Sequence, residues 1–177
     1  MAIDPIDAQA QVALAWSIAN TGNLEESLER VSLVLKINPN SVWAYGLKGA
    51  ALLYSGRPPE ARAAALTALR LSPRDPLNVL PSVQIGISYY FERDYLNALE
   101  ALRRAISRHP EFPQSHRYLA AALGQLGHPE EARVALQQAI SISPASFDFH
   151  VNTRPPWFRP KDFELMLDGL RKAGWQG

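Results

Sequence analysis

The imidazoles of His109, His116, His128 and His150 are the side chains of this sequence best suited to acid–base catalysis or metal ligation. They fall near expected turns, with no i, i+4 pair and no carboxylate at ligand spacing beside them on a helix, so the pattern a metal site requires is missing. The chain has no cysteine, which excludes thiolate ligands, thiol nucleophiles and disulfides. There is no Gly-rich phosphate loop ending in Lys-Ser or Lys-Thr, no Gly-Xaa-Ser-Xaa-Gly elbow and no histidine–carboxylate arrangement that would activate a serine. A catalytic reading rests on Arg117, Glu92 and His116 alone, with no activated nucleophile or base among them. The expectation is a non-enzyme without metal or cofactor. What remains is recognition chemistry, carried by tryptophan, tyrosine, phenylalanine and arginine, which bury much area at modest entropy cost.

Bulk properties narrow the partner. The 177 residues suit one domain, and a hydrophobic content of 47% suffices for a continuous core. A formal net charge of +1 supplies no field to draw in nucleic acid or an anionic membrane. No apolar run approaches the roughly 20 residues needed to span a bilayer, and Met1 to Pro5 lacks the basic-then-apolar pattern of an export signal. A cytoplasmic protein with a protein or peptide partner, or a second copy of itself, is expected, with no nucleic acid, membrane or small-molecule substrate.

The elements that position these side chains are set by a repeat. Asn38-Pro39, Ser72-Pro73, His109-Pro110 and Ser143-Pro144 recur at intervals of 34, 37 and 34 residues. With each proline at position 32 of a 34-residue unit, the units start at Ala8, Val42, Val79 and Pro113, giving repeats at about 8–41, 42–75, 79–112 and 113–146. Small residues then align at position 8 (Ala15, Gly49, Gly86, Ala120) and position 20 (Ser27, Ala61, Ala98, Ala132), as close helix approach requires. Position 24 (Val31, Ala65, Leu102, Leu136) and position 27 (Val34, Ala68, Ala105, Ala139) supply fillers and gaps that interdigitate. Position 15 is Gly22, Gly56 and Gly127, where a left-handed turn is cheap for glycine; Arg93 replaces it in the third unit, with Asp94 placed as N-cap of the next helix.

Second helices are predicted at about Leu24 to Ile37, Pro59 to Leu71, Tyr95 to Ser107 and Pro129 to Ile142. Pro58, Pro59 and Pro129 stand at helix starts, where a missing N–H costs nothing. The tract Ser72 to Asn78 reads as a lengthened inter-repeat turn. After Pro144 the pattern changes: the Arg154 to Lys161 stretch, stiffened by Pro155, Pro156 and Pro160, reads as a connector first and an anion contact second. A last helix is predicted from about Pro160 to Ala173, with Phe163, Met166, Leu167 and Leu170 on one stripe and Gly174 past its end. A cap over the open face of the last repeat is its expected role, with docking onto another domain as the alternative.

A repeat of this length and pattern resembles the tetratricopeptide repeat family over about residues 8–146, which implies an all-α, right-handed superhelical solenoid of about four helix-turn-helix repeats plus a C-terminal capping helix. The tracts Lys48 to Gly56, Leu71 to Pro76, Tyr89 to Tyr95 and Arg159 to Trp175 are similar to the C-terminal repeat region of bacterial proteins that carry a class III adenylate/guanylate cyclase or a winged-helix domain. That resemblance implies a regulatory, protein-contacting module of a signalling protein.

The family lines its concave surface with first-helix positions 2, 5, 9, 12 and 13, which share one face. These are Gln9, Val12, Trp16, Ala19 and Asn20; Trp43, Gly46, Ala50, Leu53 and Tyr54; Leu80, Val83, Ile87, Tyr90 and Phe91; and Gln114, Arg117, Ala121, Gly124 and Gln125. The candidate partner-binding residues are Trp16, Asn20, Trp43, Tyr54, Tyr90, Phe91, Arg117 and Gln125, forming an aromatic groove for an extended or helical peptide with apolar anchors. Trp16, Leu53, Leu80, Val83 and Ile87 suit packing between helices equally well. Trp43, Tyr54 and Tyr90 favour the groove or its rim. The lysine, asparagine and arginine of the carboxylate clamp that grips chaperone tails are replaced here by apolar residues, which argues against that ligand. Self-association through an apolar end near Ile3 to Leu14 is the alternative function.

Overall fold

The computed structural model describes residues 5–73 and 78–177, with side-chain placement from residue 9 onward. The described residues form ten α-helices and no strand: α1 Pro5–Asn20, α2 Leu24–Ile37, α3 Val42–Ser55, α4 Pro58–Leu71, α5 Val79–Phe91, α6 Tyr95–Arg108, α7 Pro113–Leu126, α8 Pro129–Ile142, α9 Pro144–Asn152 and α10 Pro160–Lys172. The expected lengthened turn after Ser72 falls largely outside the described residues. Two compact units are present. One holds α1 to α4, α5 up to Gln84, and Pro156–Arg159; the other holds Ile85–Pro155 and Pro160–Gly177.

Capping follows the sequence closely. Asn23 and Asp94 accept the backbone N–H of Glu26 and Asn97 at the starts of α2 and α6. Where Gly56 and Gly127 close their helices at φ 90° and 75°, Arg93 takes the same left-handed conformation at φ 63°. A non-glycine residue there pays a steric cost that the surrounding turn must sustain.

In both units the repeat pattern is the packing pattern, since all sixteen residues at positions 8, 20, 24 and 27 are buried. In the first unit Val12, Ala15, Val31, Val34, Ala44 and Leu47 form one cluster across α1, α2 and α3, and the Ser27 hydroxyl donates to the Ala15 carbonyl at 2.9 Å. The buried Gln84 amide donates to the Gly46 carbonyl at 2.9 Å, tying the start of α5 to α3. In the second unit the Gly86 Cα faces the Leu102 side chain, and Ala98, Ala120, Ala132 and Ala139 are fully enclosed.

The C-terminal extension departs from expectation. A helix, α9, follows α8 where no helix was predicted; it buries Phe147 and Val151 and packs on α8 and α7. The helix α10 lies within one residue of its predicted span and packs on α7, the first helix of the last repeat. Glycine is the reason. A Cβ on Gly169 would meet the Tyr90 hydroxyl at 2.5 Å and the Ala121 carbonyl at 2.7 Å, and one on Gly124 would collide with the Gly169 carbonyl, so the α7 and α10 backbones approach as only glycine permits. Gly174 at φ 101° ends α10, and the Trp175 N–H closes on the Leu170 carbonyl at 3.0 Å.

Candidate functional site

The candidate residues divide by unit. In the first unit Trp16 on α1 and Trp43 on α3 are 41% and 57% exposed, and Asn20 is exposed at the end of α1. The two indoles border a cavity of about 420 Å³ completed by Ala13, Val42, Gly46 and Leu47 and by Val79, Leu80 and Pro81 of α5. None of these lining side chains is charged, and Gly46 leaves the space that a larger residue would fill. Tyr54, on the same face of α3, packs edge-on against Phe158 with ring centroids 5.1 Å apart. That contact belongs to Pro156–Arg159, which also places Arg159 where a Gly56 Cβ would project and the Pro156 carbonyl 3.0 Å from where a Gly22 Cβ would stand. Residues Pro156–Arg159 therefore lie over the turn glycines Gly22 and Gly56.

In the second unit the candidate positions are engaged from within the chain. Tyr90 is fully buried, contrary to the groove-rim placement expected from its hydroxyl. Its O–H donates to the Leu165 carbonyl of α10 at 2.7 Å, and its ring packs with Phe91, Tyr95 and Tyr118 at centroid distances of 6.2, 5.4 and 5.5 Å. Burial raises the Tyr90 pKa, so the phenol stays protonated as a donor. Phe91 is half-buried, edge-on to Tyr118 at 6.0 Å. Arg117 is also enclosed, at 3% exposure, with its guanidinium carbon 5.8 Å from the Tyr118 ring centroid. Gln125 bridges to α10, donating to Asp168 at 2.8 Å and accepting from Lys172 at 2.8 Å. Lys172 and then Gln125 hold the Asp168 pKa below its ordinary value.

Two of the four imidazoles bond backbone carbonyls, while His128 is exposed beside Glu131. His116 donates from Nε2 to the Pro110 carbonyl at 2.7 Å. His150 donates from Nδ1 to the Ser146 carbonyl at 2.7 Å, yet burial, followed by the nearby Arg117 charge, holds its pKa below 6.5. A lowered folded pKa means that the neutral form is the one that fits. Its contribution to stability is full above about pH 6.5 and is lost as pH falls through the folded value. The urea midpoint should therefore drop between about pH 7.5 and about pH 5.5, and drop less steeply in His150→Gln. Among the described residues no group of three His, Asp or Glu side chains could hold a metal ion, and no helix is long and apolar enough to cross a membrane.

Sequence reasoning missed the C-terminal extension as the cover of Tyr54, Tyr90 and Gln125. A signal was present: a glycine inside the apolar stripe of a predicted helix marks a close backbone approach. Gly169 is such a residue, and its complements Ala121 and Gly124 stood on the candidate face.

Comparison with known proteins agrees with this architecture. A tetratricopeptide repeat family profile matches residues 83–147. No curated protein sequence matches the chain. Among solved structures, a thermophilic tetratricopeptide protein of Thermus thermophilus superposes with a TM-score of 0.72 at 19% identity, covering 94% of this chain and 89% of that one. PilF of Pseudomonas aeruginosa gives 0.69 at 17% identity, with 96% and 78% covered. MamA of Desulfovibrio magneticus gives 0.65 at 19% identity, with 94% and 93% covered. The all-α fold of this chain is that of the tetratricopeptide solenoids, and residues 83–147 carry the repeat in their sequence as well.

Proposed function

We propose that the chain is a non-catalytic protein-interaction scaffold whose first unit receives an apolar anchor of a partner protein or peptide in the hollow between Trp16 and Trp43. The observation that carries this reading is two exposed indoles flanking an uncharged 420 Å³ cavity. Buried aromatic contacts dominate interface energies, and exposed apolar hollows of this kind are rarely left without use. The tracts resembling the repeat region of cyclase and winged-helix proteins support a regulatory role in bacterial signalling.

Trp43→Ala tests it. Because Trp43 is 57% exposed, truncation should shift stability by no more than about 0.5 kcal/mol while weakening the partner by about 2 kcal/mol or more. In a pull-down from source-cell lysate the unmodified chain should retain a protein that the equally helical variant loses. Identical sets of retained proteins would refute the site.

Self-association is the second reading, supported by Leu14, Leu33 and Ile37, exposed by 43%, 57% and 44% on α1 and α2. That flank is interrupted by Arg30, which bonds Glu26 at 3.1 Å and Gln11 at 3.4 Å. At the same repeat position Ala64, Ala101 and Ala135 are buried, so a second molecule would have to desolvate a charge network there. Sedimentation equilibrium showing a monomer at all concentrations would dismiss this reading.

A further inference from the structure

We propose that α10 is a releasable cis ligand: Tyr90 of α5 with Ala121, Gly124 and Gln125 of α7 form a binding site for a glycine-notched amphipathic helix, filled in this structure by the chain's own α10. The proposal concerns the second unit and stands independently of the Trp16–Trp43 hollow.

Repeat equivalence separates α10 from the repeats it covers. Ala121 and Gln125 occupy the positions held by Trp16 and Asn20 in α1, and there the same face is open to solvent. A first-helix face in this chain therefore keeps its fold without a helix laid on it. The helix pairs of the second unit also meet without α10 between them, Gly86 against Leu102 between α5 and α6, and α7 on α8. The helix α10 is joined to α9 only through the non-helical residues 153–159.

The site has a recognition rule of its own. Phe163, Met166, Leu167 and Leu170 are buried on one stripe, and Gly169 lies within it, where any Cβ would strike Tyr90 and Ala121. The Tyr90 hydroxyl is aimed at the Leu165 carbonyl, one helical turn before the notch. At the rim Gln125 reads Asp168 and Lys172, which also pair with each other at 2.7 Å. An apolar stripe, a glycine within it and an acid–base pair one turn apart define the helix that fits. The interface mixes apolar burial with polar contacts, as interfaces that exchange partners do.

Two measurements on the intact chain test the proposal. In native-state hydrogen exchange the α10 amides should open at least about tenfold more often than those of α7. A fluorescent synthetic peptide of residues 160–177 should bind the chain saturably, and the same peptide carrying Gly169→Val should bind at least about tenfold more weakly. Equal protection of α10 and α7, no saturable binding of the unsubstituted peptide by the intact chain, or equal binding of the two peptides overturns the proposal.

Discussion

Tyr90→Ala is expected to destabilise the chain by about 3–5 kcal/mol, read as a fall in the urea midpoint at unchanged slope. The residue is fully buried, and its ring is the hub at which Phe91, Tyr95 and Tyr118 meet. Truncation removes the aromatic area, leaves a cavity between α5 and α7, and takes away the donor to the Leu165 carbonyl. Tyr90→Phe separates these effects. It keeps the ring and loses only the 2.7 Å hydrogen bond, so about 0.5–1.5 kcal/mol should be lost. Near-native stability of Tyr90→Ala would return Tyr90 to the exposed groove in which the sequence first placed it. Pairing Tyr90→Ala with Trp43→Ala in one binding test would therefore confuse unfolding with lost recognition, and Trp43 is the substitution to use alone.

The repeats were legible because their packing is written in small residues at fixed intervals. Ala15, Gly49, Gly86 and Ala120 mark where first helices are crossed, and prolines and turn glycines mark where helices start and stop, so the second helices fall within one residue of their predicted bounds. The candidate face was only half legible. First-helix periodicity puts Trp16, Trp43, Tyr54, Tyr90 and Gln125 on equivalent faces of their own helices, but periodicity cannot say whether another segment of the same chain covers such a face. Trp16 and Trp43 remain open, while Tyr54 meets Phe158 and Tyr90 meets α10. The missed helix α9 is short, and Phe147 and Val151 are its only buried residues, too few turns to establish a period. Arg93 was the one turn residue whose type argued against its conformation, and the neighbouring Asp94 cap was the better guide.

Leu102→Ala tests the interdigitation itself and should cost about 2–5 kcal/mol, because a fully buried leucine is replaced by a void. Its partner makes the test sharper. A Cβ added to Gly86 would lie 2.5 Å from Leu102 Cγ and 2.7 Å from Cδ2, so Gly86→Ala alone forces a packed side chain aside and should destabilise. In the Leu102→Ala background those two atoms are gone. The nearest remaining contact is the Leu102 backbone nitrogen at 3.3 Å, which a shift of a few tenths of an ångström relieves. There the same methyl fills part of the cavity, and it also gains about 1 kcal/mol of helix propensity over glycine inside α5. Gly86→Ala should therefore change sign, destabilising the native chain and stabilising the Leu102→Ala variant, with a coupling energy of about 1–3 kcal/mol in a double-mutant cycle of urea midpoints. Additive effects would mean that α5 and α6 do not meet through this pair, and the repeat phase that places a gap at Gly86 against a filler at Leu102 would have to be abandoned.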